Sequence, residues 1–278
     1  MFGFLNIYKP KGITSHDVIY RVRKILNIKK VGHAGTLDPL AEGVLPVAVG
    51  GATRLIDYLP TDKEYIADVK FGYISDTFDA EGKIEKFSDI KIQKEELEKV
   101  LMSFCGEISQ KPPIYSAVKV NGKKLYDYAR NGIETEIPDR IVKIDRIELT
   151  DFDENNNTAK ILISCSKGTY IRSVVNDMGI LLKSGAYMTR LVRTLSSGMK
   201  VENSVIIENI CENMLISPTD IINFPIFEVN SESYEKVKYG NPVKAETKDG
   251  LTFIIYNGRI ISIAEIRNGT AYSGKVFV

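Results

Sequence analysis

The sequence predicts an α+β protein built on a mixed, mostly antiparallel sheet with flanking helices, followed by a small β-rich module at its C-terminal end. Three observations carry this expectation. Segments of period two, such as Tyr65, Ala67, Val69 and Phe71, are interspersed with segments of helical period, such as Ile171, Val174, Val175, Met178, Leu181 and Leu182. Asn121-Gly122 is a strong hairpin-turn signal between strand-like runs. After Pro225 the texture changes to the closely spaced runs LTFIIY, RIISIAEI and KVFV, each separated by Gly or Asn.

In chain order, Phe2 to Tyr8 alternates weakly as a strand and KPKG turns the chain. Thr14 with Asp17 has capping-box spacing, and Val18, Val22, Ile25 and Leu26 give a helix from about 15 to 27. Gly32 to Gly43 reads as loop, Val44 to Val49 as a short buried strand and Thr53 to Leu59 as a helical turn or two. The strand around Tyr65 ends before the acidic turn DTFDAEGK, and Gln93 to Phe104 is an amphipathic helix stopped by Gly106. A short helix from Lys124 to Arg130 closes at Gly132, strands follow at Val142 to Thr150 and Ala159 to Ser166, and a core-facing helix runs from Tyr170 to Lys183. A last helix is expected around Glu232 to Tyr239. The domains expected are 1–225, with an insertion around 111–132, and 226–278.

With 278 residues, 44% of them hydrophobic, the chain can bury the core of one large domain and a smaller one. Its longest apolar stretches fall far short of the roughly 20 residues that span a bilayer, and its start lacks the pattern of a signal peptide, so it reads as cytoplasmic. Cys105, Cys165 and Cys211 are isolated and odd in number, which argues against a disulfide framework or a CxxC knuckle; with only His16 and His33 besides, no metal site is expected. The net charge of +1 hides an asymmetry: residues 1–38 hold seven Lys/Arg against two acids, residues 167–200 six against one, and residues 201–235 seven acids with no Lys or Arg. Two such basic segments brought together would make a face for a polyanion; kept apart, they are solvated helix faces.

Candidate chemistry centres on Asp38 in GHAGTLDPLAEGVL. An Asp before Pro is commonly a turn residue bonding a nearby N–H, and a carboxylate is equally a nucleophile or base. GTYIRSVVNDMG places Arg172 at the start of an apolar helix, where a buried guanidinium needs a carboxylate partner. Tyr65 and Tyr170 stand beside Lys63 and Arg172, and rings interleaved with cations suit unstacked RNA bases, although strand tyrosines also serve as core.

Taken together, GHAGTLDPLAEGVL, the opening KPKGITS, the KxY of Lys63 to Tyr65, KPPIYSAVKVNGKKLYDYARNG and GTYIRSVVNDMG closely resemble, in order and spacing, the TruB family of tRNA pseudouridine synthases over residues 2 to about 200. The resemblance implies the pseudouridine synthase fold, a C-terminal module similar to a PUA domain, and isomerisation of the uridine at position 55 in the T-arm of tRNA. It implies Asp38 as the catalytic aspartate, Tyr65 as the ring stacked on the target uracil and Arg172 as the partner of the catalytic carboxylate. His33 corresponds to the loop histidine near the flipped nucleotide, Tyr170 to a tyrosine packed near the base, Leu191 in RLVRT to an apolar pocket residue and Lys9 to the basic position of the first motif. Lys9, Lys63, and Lys123 and Lys124 in the insertion, are expected to meet RNA. No cofactor, metal or obligate protein partner is implied, and a monomer is expected. Attack at C1′, attack at C6 and abstraction of the 2′ proton all stay open for Asp38, and Tyr65 is the candidate acceptor of the C5 proton. A noncatalytic RNA-binding protein, a guide-dependent synthase and a carboxylate hydrolase are the competing readings.

Overall fold

In the computed structural model, every residue except Ala117 and Glu134 is described, and Lys124 and Arg130 by their backbone alone. The chain opens with β1 (Phe2–Lys9), α1 (Ser15–Ile25), β2 (Val31–His33), β3 (Glu42–Gly50), a 3-10 helix (Gly51–Tyr58) and β4 (Lys63–Phe71). A hairpin, β5 (Tyr73–Ser75) and β6 (Ile84–Lys86), leads to α2 (Lys94–Ser103) and β7 (Gly106–Gln110). The insertion holds β8 (Lys119–Val120), β9 (Lys123–Lys124) and α3 (Leu125–Arg130). Then come β10 (Arg140–Asp153), β11 (Thr158–Cys165), α4 (Ile171–Leu181), β12 (Ala186–Ser196), β13 (Met199–Lys200) and β14 (Val205–Ile206). The C-terminal unit comprises β15 (Ile226–Glu228), α5 (Ser231–Lys238), β16 (Val243–Lys244), β17 (Gly250–Tyr256), β18 (Arg259–Arg267) and β19 (Thr270–Val276).

The large sheet runs β14-β1-β3-β12-β4-β11-β10-β7, with β2 on β3 and β13 on β12. Among the described residues only β1/β14 and β3/β12 pair in parallel within it, so the sheet is mixed and mostly antiparallel, as the alternation predicts. β12 is the longest strand of this sheet that the sequence reading leaves out, and it lies at the centre. Its pairing with β4 shifts register twice, between Met188 and Arg190 and between Arg193 and Leu195, so the period of two is broken where it would have been read. Its insertion between β3 and β4 joins the strand that follows Asp38 to the strand that carries Tyr65. His33 lies in the short β2 rather than in open loop.

Helices bury one face each. Thr14 and Asp17 form the capping box that starts α1: the Thr14 hydroxyl accepts from the Asp17 N–H at 3.1 Å, and the Thr14 N–H donates to the Asp17 carboxylate at 2.8 Å. Val18 and Val22 of that helix pack on Leu5, Ile7 and Leu45. On α4, Val174, Val175 and Met178 are fully buried against Ala67, Ile161 and Ile163, each contributing roughly 1.5 to 3 kcal/mol. The C-terminal sheet, ordered β15-β17-β18-β19-β16, forms a PUA-like module. It is firmly docked: Phe253 and Ile263 share a core with Phe4, Val44 and Leu55, and Arg54 donates to the Val276 carbonyl at 2.6 Å.

Candidate active site

The segment from Ala34 to Ala41 owes its shape to a turn of its own and to hydrogen bonds with residues outside it. Ala34 N–H donates to the Pro46 carbonyl at 2.9 Å, and Ala41 N–H to the Asp38 carbonyl at 3.1 Å, which makes Asp38 the first residue of a tight turn with Pro39 second. KPKGITS braces this turn from below. The Lys9 ammonium donates to the carbonyls of Ala41 at 2.6 Å, Pro10 at 3.0 Å and Pro39 at 3.4 Å; Gly12 N–H donates to Pro39 at 2.8 Å. The Ser15 hydroxyl accepts from Leu37 N–H at 2.9 Å and donates to its carbonyl at 3.0 Å. Lys9 is fully buried, and burial lowers its pKa to about 8. This corrects the expectation that Lys9 meets RNA: an ammonium enclosed by three carbonyls presents no surface to a phosphate, and it positions the loop instead.

The backbone of Asp38 therefore makes the turn while its side chain does something else. Arg172, the second residue of α4, pairs with Asp38 at 2.9 Å and with Asp79 at 3.2 Å, and also donates to the carbonyls of Thr77 and Tyr115, both at 3.2 Å. The Arg172 and Asp79 side chains are 6% and 2% exposed, whereas Asp38 is 39% exposed. One carboxylate thus anchors the guanidinium in the interior, and the other is held at the mouth of a cavity where a ligand reaches it. Asp79 is fixed in turn by the Thr77 hydroxyl at 2.7 Å and Glu81 N–H at 3.0 Å. The trio carries net negative charge, and burial together with Asp79 and Asp38 raises the pKa of the neighbouring Glu81. Such a site admits a neutral ring more readily than a phosphate.

The cavity beside Asp38 has a volume of about 280 Å³ and is lined by Tyr65, Leu191, Ile171 and Tyr170, with Lys63 and Lys167 at its rim. That lies just below the usual range of small-molecule pockets, about 300 to 1,000 Å³, and fits one small flat ring rather than a helix. Tyr65 comes from β4 and Leu191 from β12, where Leu191 lies opposite Ala67 and so diagonally across from Tyr65. Burial raises the Tyr65 pKa above its ordinary value, against the pull of Arg193, so the phenol keeps its proton at neutral pH. Burial, with Arg193 adding to it, lowers Lys63 to about 8. Tyr170 is held by its backbone: its N–H donates to the Gln110 side chain at 2.8 Å, and Gln110 donates back to its carbonyl at 3.0 Å. A larger cavity, about 980 Å³, lies between the N-terminus and the C-terminal module and touches none of these residues.

His33 sits behind the loop on β2, where burial and then Arg193 lower its pKa. Lys123 is exposed on the hairpin whose turn, Asn121-Gly122, has φ of 49° and 80° as its sequence predicts; the Lys124 side chain lies outside the described residues. The basic face is smaller than the charge counts imply, because Lys9, Arg172 and Arg193, three of those thirteen cations, are buried. The sequence reading missed Asp79, Gln110 and Arg193. Asp79 lies in the acidic stretch DTFDAEGK, whose lone aromatic between two acids was its only signal; Arg193 stood two residues after Leu191 in RLVRT.

Comparison with known proteins identifies the family. Residues 23–171 match the model of the TruB family pseudouridylate synthase (N terminal domain). A tRNA pseudouridine synthase B of Carboxydothermus hydrogenoformans is 46% identical over 286 aligned positions, covering 100% of this chain and 99% of the relative. One from Synechocystis is 43% identical over 250 positions, covering 86% of this chain and 84% of the relative. A solved Cbf5-Nop10-Gar1 complex contains a chain that superposes with a TM-score of 0.72 at 27% identity, covering 100% of this chain and 85% of that one. With residues 23–171 matching the family model and near-full-length relatives on both measures, the chain belongs to the TruB family of pseudouridine synthases.

Proposed function

We propose that this protein converts the uridine at position 55 of the tRNA T-arm to pseudouridine, with Asp38 as the catalytic carboxylate. The observation that carries the reading is the Asp38–Arg172 pair at 2.9 Å, half open at the mouth of a ring-sized cavity that also holds Tyr65. The relatives named as tRNA pseudouridine synthase B support tRNA as substrate. The reaction breaks the N1–C1′ bond, turns the freed uracil and joins C5 to C1′, with no atom gained or lost.

A base in a folded T-arm is stacked, so it must be flipped out at a cost of a few kcal/mol, and stacking on Tyr65 returns about 1 to 3 kcal/mol. Leu191 and Tyr170 close the ring's other sides, and Lys63 with the insertion's Lys123 and Lys124 meets phosphates outside the negative trio. His33 steadies the nucleotide from the end of β2, where the loop begins. Arg172 keeps Asp38 aimed at the ring. The raised pKa of Tyr65 favours loss of the C5 proton through a water that its hydroxyl orients, rather than to a pre-formed phenolate. The catalytic unit spans 1–225 and the PUA-like module 226–278, and the enzyme works as a cytoplasmic monomer without cofactor or guide. Incubating the protein with an unmodified T-arm stem-loop and mapping pseudouridine by nucleotide tests this; absence of product at that uridine refutes it.

A further inference from the structure

Arg193 is a charged side chain with no exposure at all, and among the described residues it forms no ion pair. Its position on β12 puts it opposite Gly43 of β3 on one side and opposite Tyr65 of β4 on the other. Gly43 has φ of 100°, and a Cβ there would lie 2.3 Å from the Arg193 carbonyl, so the two strands meet as closely as backbones allow. From this seat Nε donates to the Val44 carbonyl at 2.8 Å, Nη2 to Gly35 at 3.2 Å and Nη1 to Thr36 at 3.4 Å. Across the pairing with β4 the Tyr65 phenol feels the charge of this guanidinium, which opposes the rise that burial gives its pKa.

Burying a cation without a carboxylate is costly, and a leucine or methionine would fill that volume without the penalty. Packing alone therefore does not account for a guanidinium here. Its bonds do, because they end on the Asp38 loop and on β3 while the residue's own backbone pairs with β4 opposite Tyr65, so one residue ties the loop that ends in Asp38 to the strand that presents Tyr65.

We propose that Arg193 is a positioning residue for the isomerisation, holding the Gly35 and Thr36 carbonyls and the Tyr65 ring in one frame so that Asp38 and Tyr65 face the same bound base. This rests on the reading that Asp38 carries the chemistry. Lys63 and His33 feel the same cation, which is why the pKa of each is lowered by Arg193 after burial itself. The role differs from that of Lys9 and Ser15, which brace the loop from β1 and α1 through hydrogen bonds to Pro10, Leu37, Pro39 and Ala41.

The test compares Arg193→Lys, which keeps the charge and loses the fork, with Arg193→Met, which loses both. For each, T-arm affinity, single-turnover rate at saturating enzyme and thermal unfolding are measured, alone and combined with Tyr65→Phe. The expected result is a folded Arg193→Lys with near-parental affinity and a single-turnover rate reduced about a hundredfold, the loss typical of a small misplacement. That loss should shrink markedly in the Tyr65→Phe background. A parental rate in either folded variant overturns the proposal, as does an unshrunken loss beside Tyr65→Phe. Should neither variant fold, a crystal structure of Asp38→Asn with bound stem-loop decides: Arg193 still on Gly35 and Thr36 beside Tyr65 supports the role, and a guanidinium that has left the loop overturns it. Turnover by Asp38→Asn itself would sink the underlying reading separately.

Discussion

The loop around Asp38 and the insertion around Asn121-Gly122 are both Gly-containing turns preceded or followed by lysines, yet they are anchored in opposite ways. The loop is gripped from inside by Lys9, Ser15 and Arg193, each of whose side chains hydrogen-bonds its backbone. The insertion is tied at its base, where Ser173 donates to the Lys111 carbonyl at 3.0 Å, Arg172 to Tyr115, and Leu125 N–H to Val118 at 2.8 Å. Its turn points Lys119 and Lys123 to solvent. A lysine turned inward fixes geometry; one turned outward is left to meet a ligand. Chemistry and grip are therefore separable, and substitutions in the two regions should fail in different ways.

The largest effect is expected at Asp38. Asp38→Asn should abolish turnover while keeping RNA affinity within about tenfold, or ~1.4 kcal/mol. Substantial pseudouridine formation by this variant, measured by nucleotide mapping, would move the chemistry to another residue.

Next comes Arg172→Ala, which leaves Asp79 buried without its cation. Breaking a buried pair typically costs about 3 to 5 kcal/mol, so urea unfolding should show a loss of that order, together with a sharp fall in single-turnover rate. Parental stability would mean that Asp79 finds another partner and that the network is not the anchor of the site.

Replacing Lys123 and Lys124 together by Ala should do the reverse. Affinity at low salt should weaken, and the log–log salt slope should flatten by roughly 0.7 to 0.9 for each phosphate that the variant no longer neutralises, while the single-turnover rate at saturating enzyme stays parental. A parental slope would leave the grip to cations around the cavity, such as Lys63 and Lys167.

The smallest effect is a pH dependence at the border of the two regions. Lys63, with a pKa of about 8 in the free protein, must be charged to meet a phosphate. Below that pH it is already protonated; above it, binding has to take up a proton, so affinity should fall as pH rises through about 8, by at most about tenfold per unit. Lys63→Arg should remove that fall, because arginine stays charged throughout. An identical pH profile in the variant would take Lys63 off the phosphate path.

The elements that were legible share one property: the signal lies within a few residues. Thr14 and Asp17 cap α1 because three residues separate them, Tyr65 to Phe71 alternate because one face is buried, and Asn121-Gly122 forms its turn through its own φ preferences. Asp38 and Arg172 were also legible, since HAGTLDP and GTYIRS are local motifs and an arginine opening an apolar helix requires a carboxylate. By itself, then, the sequence determined the mixed α+β class and the family and, through the family resemblance, the Asp38–Arg172 pair. The tertiary structure alone decided what depends on distant segments meeting. It placed β12, whose bulges hide its period, between β3 and β4, and it gave Arg172 a second carboxylate in Asp79. It also turned Lys9 and Arg193 inward, where burial and backbone carbonyls make loop-holders of cations that by charge alone looked ready for RNA.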